Sequence, residues 1–153
     1  MHYKRATFAT QLPVEYLYTS SHSWLARADQ RATADGVWRV GYTKFALRML
    51  GDLVDVQFEA QHGAEVQTGD IVGTIEGFKA ISDIYCVGTG RFAGANPALN
   101  RSLTQVVENP YEIGWLYEFC GSSDPRAVDV DGYRELLDAT IDRILEKQQG
   151  TSS

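Results

Sequence analysis

Apolar and polar positions recur with readable periods along most of the chain. From Leu53 to Phe58, Val54, Val56 and Phe58 alternate with Asp55 and Gln57, the period of two of a half-buried strand. Residues 37–42, Val-Trp-Arg-Val-Gly-Tyr, follow the turn signal Asp35-Gly36. Their β-branched and aromatic content predicts a strand paired with Ser23–Arg27 across the polar loop 29–35. Thr43 stands as an N-cap before Lys44–Leu50, a run of good helix formers that stops at Gly51, so a helix of about two turns belongs there. Beyond it, short apolar runs are separated by Gly63, Gly69, Gly73, Gly77, Gly88, Gly90 and Gly94. That spacing belongs to small β-barrels and sandwiches and disfavours a parallel α/β sheet. A faint internal echo, in which Val66, Val72, Gly73 and Ile75 recur in order as Val107, Ile113, Gly114 and Leu116, permits two similar β-halves. Tyr133, Leu136, Leu137, Thr140, Ile141, Ile144 and Leu145 then switch to helical spacing and predict a surface helix over 131–147. An extended segment, 15–19, begins after Pro13. The chain therefore divides into an N-terminal arm or loosely docked strand (1–14), a β domain (15–121), a C-terminal helical extension (122–148) and a disordered tail (149–153).

Composition narrows the function classes. With 153 residues, 44% apolar and 22% charged, there is room for one ordinary core. Lys and Arg number 14 against 20 Asp and Glu, a formal charge of −6, so no general phosphate-neutralising surface and no nucleic-acid partner are expected. No run approaches the roughly 20 consecutive apolar residues of a membrane span. The N-terminus starts basic but lacks the apolar run of a secretory signal, which makes the cytoplasm the expected compartment and leaves the membrane out as a partner. Cys86 and Cys120 are too few and too far apart for a disulfide scaffold or a Cys-rich zinc site; both are expected as free thiols, with no metal site.

The informative stretch is 72–90. Two β-prone runs, 72–75 and 81–87, flank Glu76-Gly77-Phe78-Lys79-Ala80, a connection that places Lys79 at a hairpin tip. On spacing alone, a lysine in a turn is an ordinary surface residue. Schiff-base catalysis would need a desolvated amine or cationic neighbours, whereas Glu76 and Asp83 favour the charged form. What a tip supplies is access: another enzyme can acylate the amine and leave its cargo projecting from the scaffold. No spacing orients a base against either cysteine, so the chain is expected to have no catalytic residues and not to be an enzyme.

Around that lysine, Glu76, Lys79, Ala80, Ser82, Asp83, Ile84 and Tyr85, followed by Gly90, resemble the lipoyl-attachment hairpin of the glycine cleavage system H proteins, usually ESVKAASDIY and then APVSG. The likeness continues in chain order. Residues 18–24, YTSSHSW, are similar to the family's YTEEHEW; VGYT with LGDLV is similar to VGIT with LGDIV; and NPYEIGWL is similar to DPYGEGWL. The resemblance implies a mainly β barrel-sandwich hybrid, lipoyl-domain-like, with two facing β-sheets, the short internal helix and the C-terminal surface helix. It also implies lipoate amide-linked to Lys79, with lipoate ligase or lipoyl-transfer enzymes and a dihydrolipoamide dehydrogenase-like enzyme as partners. Glu76, Gly77, Phe78, Ala80 and Asp83 are then the residues a lipoylating enzyme would recognise. Forming the amide would remove the lysine charge and create an arm on the order of 14 Å long.

Three departures bear on the cargo. Ser23 stands where the family's HEW glutamate would hold an aminomethyl-loaded arm, and serine offers an ammonium no negative charge. Gly77-Phe78 replaces the usual Ser-Val, adding aromatic surface and a more permissive backbone beside the lysine. Cys86 takes a place where Ala or Ser is usual; alternation from Ile84 makes it a small buried residue, as is Cys120, although exposure would let it exchange with a dithiolane. His22, with no second histidine at ligand spacing, reads as a hydrogen-bonding scaffold residue; with Ser23 and Cys86 it completes the positions that could meet the arm. The sequence Glu-Gly-Phe-Lys-Ala is similar to that of the H-like lipoate-binding proteins of heterodisulfide-reductase-like sulfur oxidation. The first expectation is accordingly a carrier of sulfur-derived intermediates and electrons for a heterodisulfide-reductase-like complex. The second is a glycine cleavage H protein moving an aminomethyl group between glycine decarboxylase and aminomethyltransferase.

Overall fold

Strand pairing follows the alternation that predicts it. The computed structural model describes residues 1–28 and 36–151, and its pairings there are antiparallel. In chain order the elements are β1 (His2–Arg5), β2 (Phe8–Gln11), β3 (Leu17–Tyr18), β4 (Ser23–Arg27), β5 (Gly36–Tyr42), α1 (Lys44–Leu50), β6 (Leu53–Phe58), β7 (Glu65–Val66), β8 (Ile71–Gly77), β9 (Ile81–Tyr85) and β10 (Gly88–Ala95). A 3-10 turn (Pro97–Asn100), α2 (Thr104–Glu108), β11 (Tyr117–Ser123) and α3 (Val130–Thr151) complete them. A six-stranded sheet, ordered β3-β4-β5-β11-β10-β7, faces a three-stranded sheet, β6-β8-β9. Between them lies a core that includes Leu25, Val40, Ile75, Ile84, Leu116 and Phe119. This is the mainly β barrel-sandwich arrangement expected of a lipoyl-type domain. The polar loop 29–35 lies outside the described residues.

A third, two-stranded sheet formed by β1 and β2 departs from the loosely docked arm read from the sequence. Tyr3, Phe8 and Leu12 are buried in a second core with Tyr18, Trp24, Tyr133 and Leu137, where α3 covers the outer face of the six-stranded sheet. Each such side chain contributes about 1.5–3 kcal/mol on burial, which an isolated hairpin does not gain. Arg5 then forks onto Asp142, Nε to Oδ1 at 2.9 Å and Nη2 to Oδ2 at 2.8 Å, and the Tyr3 hydroxyl donates to Asp138. These partners lie more than a hundred residues away, beyond the reach of local periodicity.

Two further expectations change. The echo is not a second β-half: Val107 lies on α2, and 113–116 form the turn before β11, with the Gly114 N–H donating to the Asn109 carbonyl at 2.9 Å. The C-terminal helix buries Tyr133, Leu137 and Ile141 on the predicted stripe, but it runs on to Thr151. The tail expected from 149 is thus helical for three residues, since each added residue extends a hydrogen-bond ladder already nucleated; residues 152–153 lie outside the described span. Among the described residues no helix is long and apolar enough to cross a membrane.

Candidate functional site

Thr43 follows β5 in an extended conformation, its Oγ1 accepts from the Ala46 N–H, and α1 begins. Seven residues later Gly51 closes the helix at φ 76°, a left-handed conformation that suits glycine, with its N–H bonded to the Leu47 carbonyl. The end of α1 is where the β8–β9 hairpin docks. The Lys79 N–H donates to the Leu50 carbonyl at 2.9 Å, the Phe78 N–H to the Asp52 carbonyl at 3.0 Å, and the Gly77 N–H closes the bend on the Ala80 carbonyl at 2.9 Å. Two of these bonds satisfy carbonyls at or just beyond the end of the helix.

Gly77 earns its place by space rather than by an unusual backbone angle. It is not among the glycines with positive φ, but a Cβ there would stand 2.1 Å from the Leu50 carbonyl oxygen. The permissive backbone expected from the sequence is therefore a close approach. Lys79 has its main chain fixed and its side chain exposed, and its stem crosses Gly51, where a Cβ would come within 2.9 Å of Lys79 Cγ. Among the described residues its amine enters no ion pair. Phe78 is 81% exposed beside it, and Ala80 and Ile81 are exposed as well. Glu76 and Asp83 sit half-buried on adjacent strands, Glu76 opposite Ile81 and Asp83 opposite Thr74. A rigid bend that ends in an accessible, unpaired amine fits amide attachment of a lipoyl group.

On one side of Lys79 a hollow of about 250 Å³ is lined by Ser21, His22, Tyr42, Met49, Ala80 and Ser82, among others, with no carboxylate in its wall. His22 has φ 65°, a conformation that costs a non-glycine residue energy and is held by its surroundings. Its Nδ1 meets the Tyr133 hydroxyl at 2.9 Å, and that hydroxyl lies 2.7 Å from Thr43 Oγ1. A chain in which Thr43 donates to Tyr133 and Tyr133 donates to a neutral His22 satisfies all three groups. Burial lowers the His22 pKa to about 4. The scaffold role read from the sequence holds, and near pH 7 the ring brings no charge to the hollow.

The other two positions, Ser23 and Cys86, are buried. Ser23 is 3% exposed, held in β4 opposite Tyr42, with its N–H on Thr19 Oγ1. Cys86 is 1% exposed and donates from Sγ to the Gly88 carbonyl; burial raises its thiol pKa. The exchange considered for an exposed Cys86 has no access here. Cys120 departs from its reading as a small buried residue: it is a free, exposed thiol on β11, because the residues that alternate inward on that strand are Tyr117 and Phe119. Among the described residues no group of three His, Cys, Asp or Glu is placed to hold a metal.

Local periodicity did not reveal the groove on the other side of Lys79. About 320 Å³ in volume, it runs between the β1–β2 turn, α1 and α3 and is lined by Phe8, Phe45, Arg48, Ile144 and Lys79, among others.

Comparison with known proteins bears on the same hairpin. A family model described as glycine cleavage H-protein matches residues 16–139. A glycine cleavage system H protein of Escherichia coli O45:K1 (strain S88 / ExPEC) is 37% identical over 131 residues, covering 86% of this chain and 92% of its own length. One from Corynebacterium jeikeium (strain K411) is 34% identical over 126 residues, 82% of this chain and 96% of that protein. Among solved structures, the crystal structure of a glycine cleavage system H protein from Mycobacterium marinum is similar with a TM-score of 0.70 and 33% identity, covering 80% of this chain and 95% of that one.

Proposed function

The chain belongs to the glycine cleavage H-protein family, and on that premise we propose that it carries lipoate on Lys79 and moves a lipoyl-bound group between enzymes. Proteins of this family are carriers rather than catalysts, and their lipoate is covalently attached to a lysine. The observation that carries the reading is the hairpin bend pinned to the end of α1, which fixes the Lys79 main chain and leaves its amine free. When bound, lipoate supplies a dithiolane that accepts two electrons and is opened by nucleophiles. The protein's share is position. Glu76 and Asp83 offer acceptors, and Phe78 an exposed aromatic face, to a lipoate ligase or lipoyl-transfer enzyme, and Gly77 lets the bend close against Leu50.

For the cargo, the relatives' shared name supports an aminomethyl group carried between glycine decarboxylase and aminomethyltransferase. It thereby displaces sulfur oxidation as the first reading. The heterodisulfide-reductase-like pathway stands second, on one observation: the hollow beside Lys79 has no carboxylate, with Ser23 buried and His22 neutral, so its lining offers an ammonium no negative charge. Mixing the lipoylated protein with glycine, glycine decarboxylase and aminomethyltransferase separates the two. Glycine cleavage predicts an aminomethyl addition to the arm by intact mass, to the extent seen on an authentic H protein; a lipoylated sample that stays unloaded beside a loaded control favours the second pathway.

A further inference from the structure

We propose that Tyr133, on α3, and Tyr111, in the turn after α2, are positioning residues for Lys79: they clamp the N-terminus of α1, and through that helix hold the attachment hairpin in the pose a lipoylating enzyme engages. The inference rests on Lys79 being the attachment residue. A helix of seven residues does not stand alone in water, so its place is imposed by its ends and its buried face. That face is divided, with Phe45 packed in the second core and Leu47 and Leu50 in the first. At its far end the helix carries the hairpin, since the Lys79 and Phe78 N–H groups donate to the Leu50 and Asp52 carbonyls. Whatever moves α1 moves the main chain of the lysine.

The near end is held by the two phenols. The Tyr133 hydroxyl lies 2.7 Å from Oγ1 of Thr43, the helix cap, and 2.9 Å from His22 Nδ1, while the Thr43 N–H donates to the His22 carbonyl at 3.0 Å. One hydroxyl thus ties both the cap residue and the residue that holds the cap's main chain. The Tyr111 hydroxyl accepts from the Lys44 N–H at 3.0 Å, one of the donors that the first turn of a helix leaves without an internal partner. It also lies 3.3 Å from Thr10 Oγ1 on β2, and the Tyr16 hydroxyl donates to the Tyr111 carbonyl at 2.7 Å, so this phenol is itself anchored. The helix is only about 10 Å long, and a tilt at its N-terminus displaces the acceptors that fix Phe78 and Lys79. A hairpin loosened in this way samples several poses. An enzyme that must meet the amine together with Glu76 and Asp83 then finds the competent pose in a smaller fraction, and the apparent KM for the carrier rises as the inverse of that fraction while kcat at saturation is unchanged.

The test compares the whole protein with Tyr133→Phe, Tyr111→Phe, Thr43→Val and Thr43→Ser, and with Phe92→Leu as the control for a general loss of stability. Phe92 is buried, with Phe58 and Tyr117 as its ring partners. Amide hydrogen exchange of the unmodified proteins, followed by NMR, comes first. Removing either phenol hydroxyl, or the Thr43 hydroxyl, is expected to speed exchange at Phe78 and Lys79 roughly tenfold, the effect of one lost hydrogen bond. Thr43→Ser keeps the cap and the Tyr133 contact and should exchange as the wild type does. Phe92→Leu should do the same, because local opening of the hairpin does not await global unfolding. In steady-state lipoylation, the three removals are expected to raise KM for the carrier on the order of threefold or more at constant kcat, with Thr43→Ser and Phe92→Leu unchanged. A wild type that takes no lipoyl group means that the carrier reading has failed, and the exchange rates still decide the clamp. Should one of the three variants not fold, the other two decide it. A folded phenol variant with wild-type exchange at Phe78 and Lys79, a Phe92→Leu control that exchanges equally fast there, or a loss confined to kcat would overturn the proposal.

Discussion

Acidification from pH 7 toward 4 should weaken the fold through His22. In the native protein, desolvation lowers the imidazole pKa to about 4, against 6.5 when unperturbed. Between those values the unfolded chain binds a proton that the native state refuses, so stability rises with pH across this window. His22 costs nothing above pH 6.5, its penalty grows as pH falls, and the loss levels off below 4. The shift, worth about 1.4 kcal/mol per pH unit, comes to about 3 kcal/mol, a sizeable part of the 5–15 kcal/mol that holds a typical domain. The assay is urea unfolding at intervals from pH 7.5 to 4, run on the wild type and on His22→Asn. Asparagine tolerates the left-handed backbone and cannot titrate. It loses the ring packing on Phe45, 4.8 Å between centroids, but that loss is the same at every pH. Carboxylates titrate alike in both proteins, so the difference between the two curves isolates the imidazole. The wild type's advantage at pH 7 should shrink by about 3 kcal/mol at pH 4. Parallel curves, or a His22 ring titrating near 6.5 by NMR, would refute the argument.

The remaining predictions concern the hairpin and its supports. Gly77→Ala should cost about 1–3 kcal/mol and slow lipoylation, because the added methyl collides with the Leu50 carbonyl; thermal melts and the initial lipoylation rate check both. Tyr133→Phe strands the His22 and Thr43 partners of the hydroxyl and should lose about 1–3 kcal/mol in urea. Of the two thiols, Cys120 should react with a disulfide reagent at once and Cys86 only after unfolding; two rapidly reacting thiols would mean that Cys86 is not sealed.

What could be read from the sequence is what local pattern encodes. The pairing of Ser23–Arg27 with the strand ending at Tyr42, the Thr43 cap, the strand Leu53–Phe58 and the bend at Lys79 each follow from turn chemistry or alternation within a few residues. Lys79 stood out only because four motifs lay in family order around it; its own spacing is that of any turn lysine. Long-range contacts escaped. Nothing in residues 1–14 signals that Tyr3 and Arg5 will be held by Asp138 and Asp142, and the groove that results has no local signature. The contact that makes Gly77 obligatory is with Leu50, on a different element. Ser23 changes the charge of the site in a way the sequence shows, whereas its burial becomes visible only in the fold.

The central claim is tested most directly by intact and peptide mass spectrometry after incubation with a lipoate ligase or lipoyl-transfer enzyme that fully modifies a bacterial H protein in parallel. The account predicts one lipoyl group, mapped to Lys79 and absent from Lys79→Arg, even though that variant keeps the hairpin's main-chain bonds to Leu50 and Asp52. An unmodified wild type beside a fully modified control, or a lipoyl group mapped to Lys44 or any other lysine, would contradict it.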